Sequence, residues 1–373
     1  MLEARIRVVS WDVAELTVPL VEPFVIACGT VTTTQNALVR AVIEDDRGRS
    51  MLGLGEAATL VPVTEEDLPA AIANLTRIGD ALSGHEFDLR AGFEALGLAL
   101  DEAAGDGVVA RAGAETALLD AIARLANVPL RALLGGSIGA GTTRMTTDIT
   151  IPIRPVDKMV ALAKEHRAQG FSCFKVKVGR DVDHDFDAIA KIAAAVPDAR
   201  FRIDANAGFS AKDAIALATR LASANVAIEC FEQPCATDDL AGMAEVAATI
   251  RAPVVADESV KVPEDVRILV EERAADGVNL KLAKSGGLLT ALEIGRAAKA
   301  AGLAIMCGGM VETRLGMSAA AHVVAALGGV DFVDLDTAWL LADDPFTGGY
   351  AAAGPDYDLG SSPGLGVSLR GSP

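Results

Sequence analysis

The feature that most constrains this chain is a repeat of spacing rather than of sequence, running from Thr150 to Asp336. Short apolar runs end in polar groups at nearly constant intervals. DITI carries Thr150, FKVKVG Lys177, RIDAN Asp204, AIECFEQP Glu232, PVVADES Asp257, GVNLKLAKSGG Lys281, LAIMCGG Cys307 and FVDLD Asp334. Each step spans 24–28 residues, about what a strand, a helix and two short loops need. Eight such units in series predict a closed parallel α/β barrel, with its working residues at the C-terminal ends of the strands. The intervening helices are predicted at 155–169, 183–196, 211–224, 238–250, 263–273, 287–301 and 315–327.

Polar doublets two residues apart support the barrel: Lys175/Lys177, Asp204/Asn206, Asn279/Lys281 and Asp334/Asp336. Side chains two apart on a strand point the same way. The intervening residues are Val, Ala and Leu, so the polar set is predicted to face inward, where charge needs partners, a metal or water. A single doublet reads equally well as a solvated strand end. Acids on three consecutive strand ends, with lysines on the strands either side, do not.

Residues 1–127 read as a separate α+β domain. IRVVSWDVAELTV alternates, and NALVRAVIEDDRGRSMLGLGEA predicts a hairpin turning at Asp46-Arg47-Gly48. Helices are predicted at 65–82, 86–103 and 108–126, the last stopped by Asn127-Val128-Pro129. The barrel is assigned 128–340. The Gly- and Pro-rich segment 341–373 is predicted to pack back on the first domain as loops and short strands.

A formal charge of −18 leaves no basic surface for nucleic acid. No apolar run is long enough to span a bilayer, no signal peptide is read at the N-terminus, and a soluble cytoplasmic protein is expected. The five cysteines and four histidines are scattered without zinc-finger spacing. They are read as reduced core thiols, and neither a histidine metal site nor a Ser-His-Asp triad is supported.

Three carboxylates at one barrel mouth suit a hard divalent cation such as Mg²⁺. Asp204, Glu232 and Asp257 supply them, with Asn206 to orient them or hold a water; the alternative is an ion-pair cluster without metal. Lys177 precedes this row and Lys281 follows it, so around a barrel they face each other. A substrate carboxylate on the metal would set its α-carbon between two amines, and metal binding would stabilise the enediolate formed on deprotonation. The like charge of Lys175 beside Lys177 and the metal nearby are expected to lower the pKa of a lysine base. One lysine removing a proton and the other returning one to the opposite face inverts the carbon. Elimination or cycloisomerisation needs only one lysine base, so the pair favours racemisation or epimerisation.

With these residues assembled, the chain resembles the muconate-lactonizing subgroup of the enolase superfamily over nearly its whole length. KVKVG, the Asp of DAN, the Glu of EQP, the Asp of DES and KLAKSGG carry the resemblance, with ALLDAIARLANVPLRALLGG in the first domain. It implies a modified TIM (β/α) barrel under an N-terminal α+β capping domain. It also implies Mg²⁺ held by Asp204, Glu232 and Asp257, acid/base roles for Lys177 and Lys281 supported by Lys175, and a homo-oligomer. FVDLDT and TDITI resemble the dipeptide epimerases, implying that Asp334 and Asp336 grip a dipeptide α-ammonium and that Thr150 touches the substrate.

One departure stands out. The Ala-Glu branch of that family carries a capping-loop arginine for the substrate's glutamate side chain, and IACGTVTT has Gly29 there. Without it, a charged side chain would lack its partner at a cost of a few kcal/mol. Cys28, Gly29 and Val31, with Met306, Cys307 and Gly308, are read as a small apolar lining. A dipeptide with an uncharged, often hydrophobic, second residue is therefore expected. The rival readings are an N-acylamino acid racemase or o-succinylbenzoate synthase-like enzyme, a muconate cycloisomerase, a Schiff-base aldolase, and a metal-dependent carboxylate-binding protein without turnover.

Overall fold

Alternating β-branched and apolar residues in the first sixty positions form an antiparallel sheet, and small residues fasten a helix onto it. The computed structural model describes residues 5–27, 29–135 and 143–371. Strands β1 (Arg5–Leu16), β2 (Pro19–Ile26), β3 (Gly29–Thr33), β4 (Gln35–Asp45) and β5 (Ser50–Thr59) come first. β5, β4, β1 and the short strand Glu86–Asp88 make one sheet, while β2 and β3 form a separate hairpin. The β4–β5 turn follows the expected signal, with Asp45 accepting from the backbone of Arg47 and Arg49 and Gly48 at φ 76.

Helices α1 (Leu68–Leu82), α2 (Glu94–Ala104) and α3 (Val108–Leu125) cover one face. The expected helix from 86 is corrected. Asp88 caps a single 3₁₀ turn, Gly92 adopts φ 98, and α2 begins only at Glu94. α3 lies unusually close to β5: a Cβ at Gly53 would stand 2.0 Å from the Ala117 carbonyl oxygen, and one at Gly55 2.0 Å from that of Gly113. The glycines in MLGLGEA are thus explained by helix–strand approach.

The barrel strands are Ile149–Ile151, Cys173–Lys177, Arg200–Asp204, Ile228–Glu232, Val254–Ala256, Gly277–Leu280, Ala304–Cys307 and Phe332–Val333, all parallel and paired in chain order. The connecting helices span Val156–Ala168, Val182–Ala195, Ala211–Ser223, Leu240–Thr249, Pro263–Glu272, Leu288–Ala301 and Arg314–Leu327, within two residues of expectation. The first and last strands meet through individual bonds: Asp148 N–H donates to the Val333 carbonyl at 3.2 Å, and Leu335 N–H to the Thr147 hydroxyl at 2.8 Å.

Inside the barrel, Cys230, Val255 and Met306 form an apolar floor against Phe332, with the Arg202 guanidinium 5.1 Å above the Phe332 ring. The last segment ties both layers together. Leu365 N–H donates to Asp120 of α3, and Phe346–Gly348 pairs with Val367–Leu369. Among the described residues no helix is long and apolar enough to cross a membrane.

Candidate active site

Parallel register decides which side chains meet. Lys177, Asp204 and Glu232 are direct lateral partners on the second, third and fourth strands. Asp257 follows the fifth strand, and Lys281 the sixth. All five side chains are at least nine-tenths buried.

Lys175 Nζ lies 2.7 Å from Asp334 Oδ2, 2.7 Å from Glu232 Oε2 and 3.1 Å from Asp204 Oδ2. Lys177 donates to Asp204 Oδ2 at 2.5 Å, and Lys281 to Asp257 Oδ2 at 2.6 Å. Asn279 donates to Glu232 Oε1 at 2.8 Å. The Asn206 backbone N–H donates to Asp204 Oδ1 at 2.9 Å, and its amide to Glu258 at 3.2 Å. Asp336 Oδ2 accepts from Thr150 N–H at 2.6 Å. The eighth strand ends at Val333, so Asp336 lies beyond it, at the start of the 3₁₀ turn Thr337–Leu340.

Charge balance in this cluster is uneven. Burial would raise Asp204, yet Lys177 and Lys175 hold it well below the usual carboxylate range. Burial would likewise raise Asp257, but Lys281 and Lys284 keep it low. Glu232 has the least compensation: burial, and then the charge of Asp204, push it up to about 8. Burial and Asp334 push Asp336 up to about 6. At Lys281 the charge of Asp257 outweighs the effect of burial and raises it.

The donor set fits a hard cation in type and position, with three buried carboxylates on adjacent strand ends. Glu232 Oε2 and Asp257 Oδ1 lack hydrogen-bond partners, although lysine nitrogens stand 2.7 Å away in poor hydrogen-bond geometry. As the side chains stand, lysines separate the acids, and among the described residues no three His, Cys, Asp or Glu side chains form a ready-made cation cage.

Thr150, Lys175, Lys177, Asn206, Lys281, Asp334 and Asp336 all line one cavity. It holds ≈ 40 Å³. Roomier grooves beside Arg77 and beside Arg200 (≈ 850 and ≈ 680 Å³) do not contain this charged cluster.

The expected apolar lining is corrected. Cys307 faces away from the mouth, its thiol 4.0 Å from the Ala320 carbonyl, because alternation turns it outward when Met306 turns in. Met306 belongs to the floor. A Cβ at Gly308 would meet Asp334, so Gly308 faces the charged cluster. Gly29 starts β3, with nothing within 4 Å of where a Cβ would be, and does not line the cavity. Cys28 lies outside the described residues. The apolar wall is built instead by Phe24 and Ile26 of β2, Leu60 and Val63 after β5, and Met310 and Val311 after the seventh strand.

Sequence reasoning missed three charged side chains here. Lys284 lies 2.7 Å from Asp257 Oδ1, and its place in KLAKSGG was a usable signal. Glu258, beside Asp257, is pushed up to about 7 by burial and then by Asp257. Asp148 pairs with Arg202 at 2.8 Å inside the barrel; it is the aspartate of TDITI, a motif read only for its Thr150.

Known proteins share this chain's sequence pattern and fold. Residues 9–135 match the mandelate racemase/muconate lactonizing enzyme N-terminal domain, and 158–372 the enolase C-terminal domain-like family. An aromatic dipeptide epimerase of Herpetosiphon aurantiacus is 37% identical, covering 99% of this chain and 100% of its own. An L-Ala-D/L-amino acid epimerase of Populus trichocarpa is 36% identical, over 94% of this chain and 82% of its own. The solved structure of a Cytophaga hutchinsonii dipeptide epimerase complexed with Mg and D-Ala-L-Val superposes with a TM-score of 0.90 at 30% identity, covering 98% and 97% of the two chains.

Proposed function

This chain belongs to the mandelate racemase/muconate lactonizing enzyme family, and from that premise we propose that it is a Mg²⁺-dependent dipeptide epimerase, an isomerase that inverts the α-carbon of the dipeptide's C-terminal residue. The observation that carries this reading is that Lys177 and Lys281 reach one cavity from opposite ends of a row of three buried carboxylates.

Asp204, Glu232 and Asp257 would hold the cation. When bound, Mg²⁺ neutralises their charge, relieves the pull of Asp257 on Lys281 and stabilises the charge gained by the substrate carboxylate as its α-proton leaves. Lys177 and Lys281 act on the two faces of the α-carbon, one taking the proton while the other delivers one. Lys175 pairs with Glu232 and Asp334, keeping positive charge beside the first base. Asp334 and Asp336 accept the substrate's α-ammonium, and the Asp336–Thr150 bond holds one of them in place. Kinship and the acidic charge go with a cytoplasmic homo-oligomer.

The second residue of the dipeptide is uncharged and apolar. Phe24, Ile26, Leu60, Val63, Met310 and Val311 offer no charge to an acidic side chain, and Gly29 carries none. The test is α-deuterium uptake from D₂O across a dipeptide library, with and without EDTA. Mg²⁺-dependent exchange strongest for apolar second residues supports the reading. Exchange of acidic dipeptides alone overturns the specificity, and absence of exchange from every free-amine dipeptide overturns the activity.

A further inference from the structure

The cavity wall after the seventh barrel strand is held from the N-terminal sheet by residues that no motif marks. Gly309, Met310 and Val311 line the cavity, but their loop forms neither ladder nor helix. Side chains satisfy its buried backbone groups one by one. Asn36 of β4 donates to the Val311 carbonyl at 2.9 Å and to Glu56 Oε1 at 2.6 Å. Glu56 of β5 accepts from Thr313 N–H at 3.0 Å, from the Thr313 hydroxyl at 2.5 Å and from Gly316 N–H at 3.0 Å. Glu312 Oε1 accepts from Met310 N–H at 2.9 Å. The Thr337 hydroxyl, next to Asp336, donates to the Glu312 carbonyl at 2.9 Å and accepts from Glu312 N–H at 3.2 Å.

Asn36, Glu56, Glu312 and Thr313 are all buried, at 0%, 7%, 3% and 0% exposure, so water cannot replace a lost partner. Glu56 also stands at the N-terminus of the helix Arg314–Leu327, where a carboxylate is favoured. Met310 packs with Ala58 of β5 and Ala283, and Leu60 and Val63 lie against that cluster. The same sheet edge therefore supplies one part of the apolar wall and anchors the other.

We propose that Glu56 and Asn36 are positioning residues that hold the Met310–Val311 wall from the capping domain, and so determine how tightly the dipeptide's second side chain is bound. This rests on the dipeptide reading above only for the identity of the ligand. The wall and the catalytic lysines are attached to different strands, so the clamp acts on binding rather than on proton transfer.

The experiment uses the full-length Mg²⁺-loaded protein with Glu56→Gln and, separately, Asn36→Ala. The amide in Glu56→Gln still accepts from the helix but turns a donor toward Asn36. Asn36→Ala removes the bonds to Val311 and to Glu56 Oε1 but leaves Thr313 and Gly316 their acceptor on Glu56. Two readouts are taken: backbone hydrogen exchange over 309–316, and KM against kcat for dipeptides with a large apolar or an alanine second residue.

Exchange over 309–316 is expected to quicken about tenfold in both variants, as for a lost buried hydrogen bond. Exchange over 200–204 and 228–232 stays unchanged. KM is expected to rise about tenfold for the large side chain and less for alanine, with kcat nearly constant. Unchanged loop exchange overturns the proposal, as does a KM rise equal for both dipeptides or a parallel fall in kcat. Faster loop exchange in a protein inert toward every dipeptide supports the clamp and overturns the dipeptide reading instead.

Discussion

Two groups of buried carboxylates divide this molecule, and they differ in their partners. At the barrel mouth Asp204, Glu232, Asp257 and Asp334 lie against lysine ammonium groups. At the joint between capping domain, barrel and C-terminal segment, Glu56, Glu115 and Asp120 accept from backbone N–H groups (Thr313 and Gly316, Leu289, and Leu54 with Leu365), with Arg111 and Arg124 beside the last two acids. Backbone donors are fixed in place, so the second group is locked. Lysine side chains can move, so the first can exchange partners for a cation and a substrate. Burial alone does not separate the two groups; the share of fixed backbone donors among their partners does.

The comparison breaks most clearly at the lysines. Lys177→Ala and Lys281→Ala are each expected to lower epimerisation about 10³-fold, with each variant losing α-deuterium exchange from only one of the two epimers. Loss from both epimers in both variants would mean the lysines do not serve opposite faces. EDTA is expected to abolish exchange and added Mg²⁺ to restore it, read by the NMR signal of the α-proton.

At the joint the effect should fall on stability. Asp120→Ala leaves the Leu54 and Leu365 N–H groups and Arg124 without their acceptor. It is expected to cost about 3 kcal/mol in urea unfolding, with exchange per folded molecule unchanged. A loss of turnover at full folding would erase the distinction between the two groups.

A smaller change sharpens the specificity. Gly29→Arg meets nothing within 4 Å at its Cβ, and it should shift kcat/KM toward acidic second residues about threefold, as one exposed charge pair allows. An unchanged preference would remove position 29 from specificity.

The smallest effect concerns pH. His322, whose Nδ1 accepts from Arg131 N–H at 3.1 Å, is lowered to about 3 by burial. The unfolded chain takes up this proton first, so the stability contribution is intact above the unfolded pKa of about 6.5 and is lost as pH falls toward about 3. Between pH 7 and 6 the loss is about 0.7 kcal/mol. His322→Asn should remove that part of the pH dependence, measured as the difference between the two urea curves.

By itself the sequence determined the barrel, because strand–helix periodicity and inward polar doublets are local patterns. The three acids, Lys177 and Lys281 stand out for the same reason, each ending its own apolar run, with Lys175 two residues before Lys177. The wrong helix start at 86 came from Asp88 and Gly92, which redirect the backbone within a segment of helical composition. Cys307 was misjudged because a strand end does not say which way its last residue turns. Only the tertiary structure decided the cavity wall and its clamp, since Asn36, Glu56 and Val311 are separated by 20 and 275 residues. Their bonds obey no spacing rule; they exist because a buried loop must find donors and acceptors wherever the packed layers bring them.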